Sequence, residues 1–97
     1  RESQMISFIV ERDVSDIDMT GLYQIAAAMH RHANRKRGEG RKIYYLGMTF
    51  LAADRLSQCL FEAEGASVVE EVNSEAGAAF TRILRVHMLA QPPVLAL

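Results

Sequence analysis

Two apolar, aromatic-rich runs of strand length lie close together in the middle of the chain, Tyr44-Tyr45-Leu46-Gly47-Met48-Thr49-Phe50 and Gln58-Cys59-Leu60-Phe61-Glu62-Ala63. Between them Leu51 to Ser57 is long enough for only one reversal of direction. Two such runs joined by a single turn predict an antiparallel hairpin. Whatever precedes and follows must pack on that hairpin.

Met5 to Arg12 is β-branched and aromatic without Gly or Pro, and reads as a first strand. Ile6, Phe8 and Val10 form a wholly apolar parity, whereas Ser7, Ile9 and Glu11 are mixed. Asp18 is placed to cap a helix whose face repeats at Leu22, Ile25, Ala26, Met29 and Ala33. That helix runs into a basic stretch, Arg31 to Arg37, and stops at Gly38 or Gly40. After the hairpin, Gly65-Ala66-Ser67 opens a second helix with Val68, Val69 and Val72 on its apolar side. Either Gly65 or a Ser67–Glu70 capping box starts it, and Gly77 ends it. Phe80 to Leu89 reads as a last strand, with Leu84, Val86 and Met88 as the apolar parity and Ile83, Arg85 and His87 as the mixed one. Pro92 and Pro93 end it, because neither can donate to a ladder.

The order strand, helix, strand, strand, helix, strand with right-handed crossovers predicts an α+β, ferredoxin-like βαββαβ sandwich. Its antiparallel sheet has the order 4-1-3-2, and both helices cover one face. Residues 1–97 make one domain, with a core over 5–89 and an apolar tail over 90–97. If the more apolar parity of each strand faces the helices, the other face carries Ser7, Ile9 and Glu11 from the first strand. To these it adds Ile43, Tyr45, Gly47 and Thr49, then Gln58, Leu60 and Glu62, then Ile83, Arg85 and His87. Such a face is too apolar to leave wet in a small protein. A homodimer of the dimeric α+β barrel type, formed through this face, or seating of a second subunit's tail on it, is the expectation.

Apolar residues at 49% and charged residues at 24% give ordinary globular composition, and a net charge of −1 gives no global pull toward nucleic acid or anionic lipid. No run approaches the ~18 apolar residues of a membrane span, and no export signal is visible. Arg1 to Gln4 are expected to be an addition or a trimmed leader, with Met5 as the natural start. A cytoplasmic protein is expected. Cys59, single and in apolar company, reads as a buried thiol in a reducing compartment, not as a nucleophile.

On the predicted sheet Ser7, Tyr45, Glu62 and His87 gather at one end of the open face, with Arg85 one step inward. An acid, an imidazole, a phenol and a guanidinium on an apolar floor suit a small-molecule ligand. Glu62 would act as a base or fix the His87 tautomer, and Arg85 would hold an anion. The alternative is that the same groups hydrogen-bond across a subunit interface. His30 and His32 point about 200° apart on their helix and cannot chelate together. The cations from Arg31 to Lys42 sit where a helix dipole favours them, and the third strand lacks the aromatic pattern of an RNA-recognition motif. Nucleic acid is not the expected partner.

Val10-Glu11-Arg12, Tyr45-Leu46-Gly47-Met48-Thr49-Phe50, Cys59-Leu60-Phe61-Glu62-Ala63 and Ala76-Gly77 resemble the pattern of one known family. It comprises small, single-domain, ferredoxin-like proteins of unknown function and includes a nickel-binding protein. The likeness runs from about Met5 to Met88 and implies a dimeric ferredoxin-like fold, not a reaction. The nickel-type members place histidine in the second strand and second helix, where this chain has Leu46-Gly47 and Val72-Asn73. No metal site or cofactor is assigned on that basis. The sequence therefore leads to a homodimeric binding or accessory protein with a pocket between sheet and partner. The alternatives are a small cofactor-independent isomerase or monooxygenase using Glu62, His87, Tyr45 and Arg85, and a nickel or other transition-metal binder.

Overall fold

The computed structural model describes residues 5–87 and Leu89. The expected leader at 1–4, the expected strand residue Met88, and the expected tail at 90–97 with Pro92 and Pro93 lie outside the described residues. Along the chain run β1 (Ile6–Asp13), α1 (Met19–Gly38), β2 (Ile43–Leu51), β3 (Leu56–Ala63), α2 (Ala66–Glu75) and β4 (Arg82–Val86). The sheet order is β2-β3-β1-β4 with every pair antiparallel, which is the ferredoxin-like arrangement predicted from the order of elements.

The Asp18 side chain accepts from the Gly21 N–H at 2.8 Å and so satisfies one of the free amides that open α1. Leu22, Met29, Ala33 and the stem of Lys36 form the buried stripe of that helix. Gly65 caps α2 without a side-chain bond, so the Ser67–Glu70 box is not the device used. Against α1 and α2 the sheet presents Phe8, Val10, Ile43, Cys59, Phe61 and Ala63, which close one core with Met29, Val68, Val69 and Val72. Cys59 is fully buried in it.

Lys36, at the end of α1, reaches Glu71 and Glu75 of α2 at 3.1 and 2.8 Å. Arg41 joins Glu64 to Glu71 across the start of β2. Lys36 therefore fastens α1 to α2, and Arg41 ties the segment before β2 to α2 and the residue ahead of it. Hydrogen bonds to Glu75 and Glu71 raise the Lys36 pKa. Hydrogen bonds from the Lys42 N–H and the Arg41 guanidinium lower that of Glu64.

The facing of two strands departs from expectation. In β2 the register runs Tyr45↔Phe61 and then Gly47↔Leu60, leaving Leu46 as an extra residue. This β-bulge switches parity partway along the strand. Ile43 and Tyr45 consequently face the helices, not the open side, whereas Gly47 and Thr49 lie on the open face as predicted. In β4, Ile83 pairs with Val10 and Arg85 with Phe8, which puts both on the helix face and sends Leu84 and Val86 to the open one. Both parities of β4 contain apolar residues, so alternation alone cannot orient it. The strand is also shorter than predicted. Phe80 lies before it and packs against the core from the preceding loop.

Candidate functional site

Directly opposite residues in an antiparallel ladder share a face, so the register writes out the open side as three rows crossing β2, β3, β1 and β4. One row is Tyr44, Glu62, Ser7 and Val86; the next is Gly47, Leu60, Ile9 and Leu84; the third is Thr49, Gln58, Glu11 and Arg82. The middle row is apolar and the flanking rows carry the polar groups. Leu46, extruded by the bulge and 52% exposed, stands over the middle row. Together with Ile9, Gly47, Met48, Thr49, Gln58 and Leu60 it lines a shallow cleft of ≈ 330 Å³.

Glu11 organises the third row. Its carboxylate accepts from Gln58 Nε2 and from Arg82 Nε, both at 2.9 Å. These two bonds, the Gln58 one foremost, hold its pKa below the usual carboxylate value. At the other end Arg37 lies over the Tyr44 ring, 4.6 Å from its centroid, so the polar row there ends in a cation at the β2 edge.

Of the five predicted ligand residues, Ser7 and Glu62 are register partners on the open face. Tyr45 and Arg85 share a row on the opposite face, Tyr45-Phe61-Phe8-Arg85, at its two ends. Three strand spacings of ~4.8 Å separate them, roughly 14 Å. His87 is exposed and lies one residue beyond the end of β4. The chain therefore does not assemble Glu62, His87, Tyr45 and Arg85 into one cluster. Tyr45 instead packs on Phe61 with ring centroids 5.4 Å apart, and burial pushes its phenol pKa strongly up, with nearby Cys59 adding to the rise. The Cys59 pKa is likewise raised by burial against the opposing pull of Arg12. Neither group is poised as a base or nucleophile near neutral pH.

The Glu11–Gln58–Arg82 bridge was not among the predicted site residues, and neither was Arg12. Arg12 continues the inward parity of Ile6, Phe8 and Val10, and it is 2% exposed. The alternation of β1 was the available signal for it. Among the described residues no group of three or more His, Cys, Asp and Glu side chains stands close enough to hold a metal ion. No helix among them is long and apolar enough to cross a membrane.

The family model described as nickel responsive protein SCO4226-like matches residues 8–86. The crystal structure of SCO4226 from Streptomyces coelicolor A3(2) is similar in fold, with a TM-score of 0.68 at 20% sequence identity. That likeness covers 87% of this chain and 99% of that chain. Among the curated proteins compared, none matches.

Proposed function

The chain belongs to the SCO4226-like family of nickel responsive proteins, and from that premise we propose a homodimeric binding or accessory protein that takes a small molecule between its open sheet and that of a second copy. The observation that carries this reading is the apolar middle row, Gly47-Leu60-Ile9-Leu84, flanked by polar rows on a sheet face that no helix among the described residues covers. A two-fold axis near Leu60 would bury that row against itself and leave the Glu11–Gln58–Arg82 bridge at the rim. The cleft beside Leu46, closed by a partner, supplies the space for a ligand. Ser7 and Glu62 are the polar groups of the predicted set that remain on this face.

The family is one of nickel responsive proteins. The side chains of a single chain do not fit a nickel centre, since the described residues gather no set of three donors.

Native mass spectrometry and sedimentation velocity test the reading together. Wild-type protein is expected as a dimer that retains a small molecule. Leu60→Glu is expected as a monomer with unchanged far-UV circular dichroism, because two unpaired carboxylates would otherwise be buried on the axis. A monomeric wild type ends the proposal.

A further inference from the structure

On the helix face, independently of the dimer, a crevice of ≈ 510 Å³ opens between the first half of α1 and the Ala76–Ala79 segment after α2. Its walls are apolar and small: Ile17, Ile25, Ala28 and Ala78, with the Gln24 amide as a polar exception. Arg12 also lines it.

Arg12 is a buried cation whose partners are all neutral. Nε donates to the Ala79 carbonyl at 3.0 Å, Nη1 donates to Cys59 Sγ at 3.4 Å, and Nη2 donates to Asn73 Oδ1. Among the described residues no carboxylate forms an ion pair with it. A guanidinium has five N–H donors, so two are not used by these bonds. Ser57, directly across the ladder from Arg12, keeps a fully buried Oγ without a hydrogen-bond partner among the described residues. A buried charge without a counter-charge is costly, and an anion entering the crevice would neutralise it.

We propose that this crevice binds a small monocarboxylate with a compact apolar body, its carboxylate on Arg12 and its carbon skeleton against Ile17, Ile25 and Ala28. The single cation and apolar walls suit one negative charge attached to hydrocarbon. Asp13, also on the lining, is an ionisable carboxylate whose oxygen accepts from the Ser15 N–H and hydroxyl. Its charge opposes any anion here and a multiply charged one most, which favours a monocarboxylate over phosphate and dicarboxylates.

The test is an NMR titration of the uniformly 15N-labelled full chain, following Arg12 Nε–Hε and the amides of Gln24, Ala28 and Ala79. The probes are hexanoate, 1-hexanol and inorganic phosphate. Hexanoate is expected to give a saturable shift at all four positions, with affinity about tenfold or more above that for either control, since each control lacks half of the recognition. Ala28→Leu, which fills the crevice while leaving Arg12 and its three partners in place, is expected to abolish the response. Arg12→Met is expected to lose the response as well, and Ala28→Leu remains informative if that variant fails to fold. Absence of a saturable shift with hexanoate, equal binding of phosphate or hexanol, or full retention in Ala28→Leu overturns the proposal. Leu60→Glu is expected to bind hexanoate as the wild type does, which separates this site from the open-face reading.

Discussion

Asn73 sits fully buried on α2, where its Nδ2 donates to the Val69 carbonyl at 2.9 Å and its Oδ1 receives Arg12. It is thus both an internal brace of the helix and an acceptor for the buried Arg12 guanidinium. Replacing it by alanine removes the acceptor and leaves a charged donor facing apolar neighbours. Hydrogen bonds to charged groups contribute about 1.5–3 kcal/mol. Asn73→Ala is therefore expected to lower the unfolding free energy by about 2 kcal/mol, read as a reduced urea midpoint at unchanged slope. In a domain whose total is of order 5–15 kcal/mol this is a large fraction. A cost near zero would mean that Arg12 finds another acceptor.

At the scale of the elements, the hairpin shows what a sequence can and cannot reveal. Apolar runs, the Asp18 cap and the order of the six segments were enough for the topology, because each depends on local chemistry and on a handedness rule. The facings of β1 and β3 followed from simple alternation. β2 did not, because Leu46 interrupts the period and every residue before it turns to the other face. β4 did not either, because Ile83 and Leu84 are both apolar and only pairing with β1 distinguishes them. Tyr45 and Arg85 of the candidate ligand cluster came from those two strands, which is why they left it while Ser7 of β1 and Glu62 of β3 stayed. A glycine followed the extruded residue in plain view. Gly47 has φ +139°, a conformation that other residues seldom adopt, and a Cβ placed there meets nothing within 4 Å. Its cost on substitution is accordingly one of backbone strain, not of collision. Gly47→Ala is expected to destabilise the protein by about 1–3 kcal/mol in chemical denaturation. A neutral result would show that the bulge can move to another position along β2.

For the molecule as a whole the question is how 97 residues with one covered sheet face reach useful stability. A chain of this size buries a smaller share of its surface than a larger domain does, and the core here is a single layer between helices and sheet. Ile9, Leu60 and Leu84 stay only partly buried within one chain. If a second copy covers them, folding and association become one equilibrium, and stability must depend on protein concentration. Each tenfold rise in concentration then adds about 0.7 kcal/mol per protomer, half of the ~1.4 kcal/mol that a tenfold change in an equilibrium constant represents. For a domain of this length that corresponds to roughly 3–5 °C in the thermal midpoint. Differential scanning calorimetry over two decades of concentration is expected to show this upward drift for the wild type. Leu60→Glu should instead give a midpoint that is lower and independent of concentration. A wild-type midpoint that stays fixed would mean that the open face contributes nothing to holding the fold, and a partner of this chain's own kind would lose its physical reason.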